Sequence, residues 1–233
     1  PTDLVFPFFL FIVGTSIVFA YRNKEPGLPV YRKIAVRTLK LIGLGLFLGA
    51  FTLSFPFILP FDEIRFPGVL QRIGIVFFAA SVLYLNFNWK ALAGIAAAIL
   101  LGYWAWMGFV PLEGQAPTFE RAANNWANWV DLHVFGTHMY KEDYDPEGLL
   151  STLPSIVSSL LGIFTGLLLV SDRRDKTVGM VFLGLGMLLL GHLWDLVFPI
   201  NKALWTSSFV LVTAGWANLL LALIYYLTDI RGM

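Results

Sequence analysis

The strongest constraint on this chain is its division into seven apolar runs, each near the length that crosses a bilayer. A spanning helix needs about 20 mostly apolar residues. The runs lie at Leu4 to Tyr21, Leu39 to Phe57, Pro67 to Leu85, Ala91 to Val110, Leu149 to Val170, Val178 to Phe198 and Ser207 to Leu227. Clusters of charge or proline separate them. Of the 233 residues, 58% are apolar and only 13% charged, whereas a water-soluble domain carries about 25% charge. The expected fold is therefore all-α: a polytopic integral membrane protein of about seven transmembrane helices, forming one domain over 1–233 with one long outer loop at 111–148.

Sixteen Lys and Arg against fifteen Asp and Glu leave a net charge of +1, so the global charge points to no nucleic-acid partner. The absence of cysteine excludes disulfides, thiolate metal sites and an enzyme-bound thioester. Three histidines without close ligand spacing do not suggest a metal site. The first apolar run lacks both the basic start and the cleavage site of a signal peptide.

Where the charges sit is more informative than their sum. Arg22, Lys24, Arg32, Lys33, Arg37, Lys40, Lys90, Arg173, Arg174, Lys176 and Arg231 fall in alternate connections or the tail, while the opposite set holds only Arg65, Arg121, Lys141 and Lys202. Cations favour cytoplasmic connections. The N-terminus is thus expected outside and the C-terminus inside, which implies a span upstream of Pro1 and a chain that is part of a longer bundle. The close-packing spacings Gly45 with Gly49 and Gly162 with Gly166 are ordinary membrane-helix chemistry.

Several polar residues are out of place in such a chain. Arg72 lies five residues into its span, either snorkelling to the headgroups or facing inward toward a carboxylate or an anion. Asp3, Asp145 and Glu147 open helices, where carboxylates also serve as caps. The convergence of Asp3, Arg72, Asp145, Glu147, Asn201 and Lys202 on one side of the topology favours a site. His192 and Asp195 share a helix face on that side too. In the long outer loop, Trp126 and Trp129 suit either sugar stacking or the interfacial belt. The inner cations, six from Arg22 to Lys40 with Arg173, Arg174 and Lys176, fit the topology rule or a docked nucleotide phosphate.

Four runs then stand out together: Asp3 to Gly14 (DLVFPFFLFIVG), Phe66 to Gly74 (FPGVLQRIG), Tyr144 to Pro154 (YDPEGLLSTLP) and Phe198 to Ser208 (FPINKALWTSS). In this order they resemble the signature segments of the heparan-α-glucosaminide N-acetyltransferase family, bacterial members included. The resemblance covers Asp3 to about Gly232. It implies an acetyltransferase that takes an acetyl group from cytoplasmic acetyl-coenzyme A and gives it to an amino sugar outside, in a bilayer such as a bacterial inner membrane. It implies Asp3, Arg72, Asp145 and Glu147 as catalytic residues and Asn201, Lys202 and Trp205 as substrate-binding ones. Arg37, Lys40, Arg173 and Arg174 are the expected contacts for the coenzyme A phosphates. The family's histidine, expected as base or transient acyl carrier, belongs just upstream of the segment matched by Asp3 to Gly14, and further helices follow the segment matched here by Thr228 to Met233. A homo-oligomer is compatible with all of this. The residues alone equally allow a transporter or flippase for a small anionic or sugar solute, or a structural membrane subunit.

Overall fold

The computed structural model describes every residue except 1, 54, 56, 121, 123, 143, 173, 174 and 233. Eight α-helices follow one another: α1 (Thr2–Tyr21), α2 (Leu28–Ala50), α3 (Val69–Asn86), α4 (Trp89–Phe109), α5 (Trp126–Phe135), α6 (Leu149–Val170), α7 (Lys176–Asp195) and α8 (Ser207–Tyr225). A 3₁₀ turn spans Phe61–Glu63 and a π-turn ends the chain at Tyr226–Ile230. No strand is found among the described residues. Six helices, α1, α3, α4, α6, α7 and α8, are long and apolar enough to cross a membrane, so the chain is a multi-pass α-helical membrane protein.

The second run departs from its expected position. The helix over it starts at Leu28, eleven residues before the expected Leu39, and stops at Ala50 rather than Phe57. Pro29 sits in the first turn, where its missing N–H costs nothing. Lys and Arg are good helix formers, so Arg32, Lys33, Arg37 and Lys40 lie within α2 rather than in a loop. Beyond Ala50 the chain folds back: Thr52 N donates to Phe57 O at 3.1 Å and Leu59 N to Ala50 O at 2.9 Å. Only the second half of α2 is apolar, which is why it fails as a simple span although it runs antiparallel to α3. Tyr31 reaches Asn86 at one end of α3, and Gly45 abuts Gln71 at the other.

Helix α6 is the axis of the bundle. Gly14 and Gly162 let α1 lie on it backbone to backbone, since a Cβ on Gly162 would fall 1.9 Å from Phe11 O and one on Gly14 1.8 Å from Ser159 O. In a lipid environment such close approach replaces the hydrophobic effect as the force that joins helices. Thr15 Oγ1 crosses the same seam to Gly162 O at 3.1 Å. Gly184 and Gly215 bring α7 and α8 together in the same way. The 111–148 loop is not structureless, because Asn125 caps α5 by accepting Ala127 N at 2.9 Å.

Candidate active site

The N-termini of α1, α3, α6 and α8 meet at one end of the bundle, and the outlying polar residues meet there with them. Arg65 precedes α3. Its Nε donates to Asp145 Oδ2 at 2.7 Å, and its Nη2 donates to both Asp145 Oδ1 and Glu147 Oε2. Asp145 also accepts Tyr140 N at 2.8 Å and Glu147 N at 2.9 Å. Every lone pair of this buried carboxylate is thereby engaged, by a cation on one side and by the backbone of its own turn on the other. Burial works against the charge on Arg65, but the hydrogen bonds and charges of Asp145 and Glu147 outweigh it and raise its proton affinity. The turn before α3 is fixed further by Phe66, which donates its N–H to His138 O at 3.0 Å and stacks on the His138 ring at 3.9 Å.

Arg72, one turn into α3, is 1% exposed and lies inside the bundle. Its Nη2 donates to Gly148 O at 2.9 Å and to Ser151 Oγ. Its guanidinium carbon lies 5.2 Å from the centre of the Trp205 ring. Nε and Nη1 have no hydrogen-bond partner among the described residues. A buried cation with two open donor positions is costly unless something complements it.

Trp205 is enclosed rather than displayed. Its φ of 51° is left-handed, a conformation that costs a bulky residue about 1–3 kcal/mol and is held by its surroundings. The holder is Asn201, whose Oδ1 accepts Ala203 N at 2.8 Å while its Nδ2 reaches Phe119 O at 3.2 Å. The indole is turned inward to donate to Ser158 Oγ at 3.1 Å and packs edge-on against Phe6 and Phe209. Asp3 and Lys202 form an ion pair of 2.9 Å at the rim, with side chains 70% and 42% exposed, an arrangement of little intrinsic strength. Asn201 and Lys202 line a shallow hollow with Tyr144 and Pro146.

Two residues at this end escaped the sequence reading. Asp131, on α5, is 2% exposed and accepts Leu149 N at 2.8 Å, capping α6 from outside that helix. Gly148 is required beside it, since a Cβ there would fall 1.7 Å from Asp131 Oδ2. Burial pushes the Asp131 carboxyl up to about 6, reinforced by the charge of Asp145 and opposed by the Leu149 N–H and Arg72. Arg65 was also missed, having been counted only as an outer cation. The Asp145–Glu147 pair signals that a cation is needed but not which one, and Asp131, with Asn128 and His133 within a turn of it, carries no local signal.

Other expected groups stand elsewhere. His192 is exposed, and Asp195 instead accepts Ile200 N at 2.6 Å. Trp126 donates to Val110 O and Trp129 to Glu113 within a row of packed rings. At the opposite end, Arg37 and Lys40 line a cavity of about 610 Å³ along α2 with Arg32 and Lys33, and Arg37 lies 4.7 Å above the Phe77 ring. Arg173 and Arg174 lie outside the described residues.

Fold and site together define a multi-pass membrane protein with a buried arginine–carboxylate cluster at one end of its bundle and a cationic helix reaching toward it from the other. Residues 2–192 match the family described as heparan-alpha-glucosaminide N-acetyltransferase, catalytic, and the chain belongs to that family. Over 99% of its length it is 30% identical to the heparan-alpha-glucosaminide N-acetyltransferase of Homo sapiens, covering 43% of that protein. The Mus musculus protein of the same name is likewise 30% identical, with 44% of it covered. The chain thus spans less than half the length of these curated relatives.

Proposed function

We propose that this chain forms the core of a transmembrane acetyltransferase that takes an acetyl group from acetyl-coenzyme A on the cytoplasmic side and passes it to an amino sugar at the Arg65–Arg72 end. The observation that carries this reading is Arg72, a buried guanidinium with open donors beside two carboxylates in a member of an N-acetyltransferase family. In acetyl transfer the amine nitrogen attacks the thioester carbonyl and the C–N bond forms. The carbonyl oxygen becomes an oxyanion, the C–S bond breaks as thiolate leaves, and the ammonium proton passes to a base. Fixed donors aimed at that oxyanion are the largest single contribution in such reactions, and Nε and Nη1 of Arg72 are free to serve. Arg65 holds Asp145 and Glu147 in place and so fixes the turn whose Tyr144 and Pro146 line a hollow with Asn201 and Lys202, the seat proposed for the sugar. By resemblance, the base or transient acyl carrier is the family histidine that precedes the segment matched by Asp3 to Gly14.

The donor's phosphates fit α2. Arg32, Lys33, Arg37 and Lys40 form one cationic face and make no ion pair among the described residues. Arg37 lies over Phe77, five residues from Arg72 along α3, which is about 7–8 Å of helix axis. The flexible arm between the phosphates and the thioester has only that gap and the length of the cationic face to cover. The test is acetylation of glucosamine by the protein in liposomes, with acetyl-coenzyme A binding measured in parallel. Binding that is lost on charge reversal at Arg37 and Lys40, with transfer in the wild type, supports the reading. Solute flux without acetyl-coenzyme A binding would replace it with a transporter.

A further inference from the structure

A second feature surrounds Arg72 and is not explained by acetyl transfer. A cleft of about 370 Å³ opens between α2, α3 and α6, walled by Ile42, Leu46, Phe66, Ile75, Phe135 and Leu149, with Arg72 and Glu147 also lining it. Its size falls within the range of about 300–1,000 Å³ typical of small-molecule sites. Ile75 and Leu149, at 39% and 46% exposure, stand where α3 and α6 face outward. Both helices are long and apolar enough to span the membrane, and the cleft lies at the first turns of both, the edge of a span, where a lipid headgroup sits above its chains. Beside it the chain from Leu41 to Phe61 contains no charge, and Phe47, Phe51, Phe55, Phe57 and Phe61 are all exposed.

We propose that this cleft binds a membrane lipid laterally, with an alkyl chain against its apolar walls and an anionic phosphate headgroup at one of the two open donors of Arg72, Nε and Nη1, which diverge on the guanidinium so that the other stays available to the oxyanion. Lipid chains alone explain the walls but not the cation. Arg72 makes no ion pair among the described residues, and Glu147, the nearest carboxylate in the cleft, is engaged by Arg65. An unpaired charge at this depth is held only if an anion or water meets it, and an anion gives charge-assisted hydrogen bonds of about twice the neutral strength. The cleft occupies the first two turns of α3 and the first turn of α6, which confines the lipid to the leaflet at the active-site end.

Photolabelling tests this without acetyl-coenzyme A, so it stands or falls apart from the transferase reading. The chain in nanodiscs is exposed to a phosphatidic acid with a diazirine in its acyl chain, and separately to a diazirine alkane without a headgroup. Labelling of α2, α3 and α6 residues around the cleft should be about tenfold stronger with the phosphatidic acid, a difference of about 1.4 kcal/mol. Leu46→Trp, which fills the cleft from a half-buried position, should abolish that preference, and Arg72→Gln should reduce the phosphatidic acid to the level of the alkane. Melting of each variant shows whether it is folded, and Leu46→Trp decides the matter if Arg72→Gln does not fold. Equal labelling by both probes, labelling unchanged in Leu46→Trp, or displacement of the lipid by inorganic phosphate or acetyl-coenzyme A would each overturn the proposal.

Discussion

Arg65 and Asp145, eighty residues apart in the chain, meet through a two-pronged ion pair in which the arginine side donates Nε at 2.7 Å to one carboxylate oxygen and Nη2 to the other. The pair ties the approach to α3 to the approach to α6. These two helices carry Arg72 and, at the start of α6, its acceptors Gly148 O and Ser151 Oγ, so a change at the Arg65–Asp145 pair is transmitted to the buried cation.

Asp145→Asn keeps the shape and removes the charge. Arg65 then loses its strongest partner, and turnover with glucosamine should fall by about 10²-fold or more. Affinity for acetyl-coenzyme A, read by calorimetry, should change little because the cationic half of α2, Arg32 to Lys40, makes no contact with Asp145 among the described residues. Wild-type turnover in a folded variant would reduce Asp145 to a cap of its own turn.

Asp131 should make stability depend on pH in an unusual direction. Its folded pKa of about 6 lies above the ordinary carboxyl value of about 3.9. The folded state therefore binds the proton more tightly, and this contribution is complete below the unfolded value and lost as pH rises through about 6. Asp131→Asn retains an acceptor for Leu149 N without the charge. The melting temperature of wild type relative to the variant should rise as pH falls from 7 to 4, and a constant difference would show that Asp131 is not the titrating group.

Gly162→Ala forces a Cβ into Phe11 O, where no flexible side chain can give way. Separation of α1 from α6 should cost about 1–3 kcal/mol as overpacking and lower the melting temperature. Gly94→Ala, with open space around it, serves as the control and should leave stability unchanged.

The cation distribution predicts the orientation. The chain has no cysteine background, so a single Cys at Gln115 should react with an impermeant maleimide in intact cells. A Cys at Lys33 should react only after permeabilisation, and the reverse pattern would invert the topology.

The class of fold was legible in the residues because the bilayer is a simple solvent: a run of about 20 apolar residues satisfies its backbone only as a helix. The family was legible in four motifs, and Arg72, Asp145 and Glu147 stand out as polar residues at span edges, which the structure gathers at one end of the bundle. The start of α2 was not, since hydropathy reports where a segment suits lipid and not where a helix begins. Nor were the partners. Arg65 and Asp131 are ordinary polar residues in ordinary connections, and what distinguishes them is contact across 80 and 18 residues of chain. Trp205 similarly reads as a sugar platform until the turn at Asn201 turns it inward under Arg72. Local composition determines which segments enter the membrane, but pairing between buried charges depends on the packing of several helices at once, and only the tertiary structure decides it.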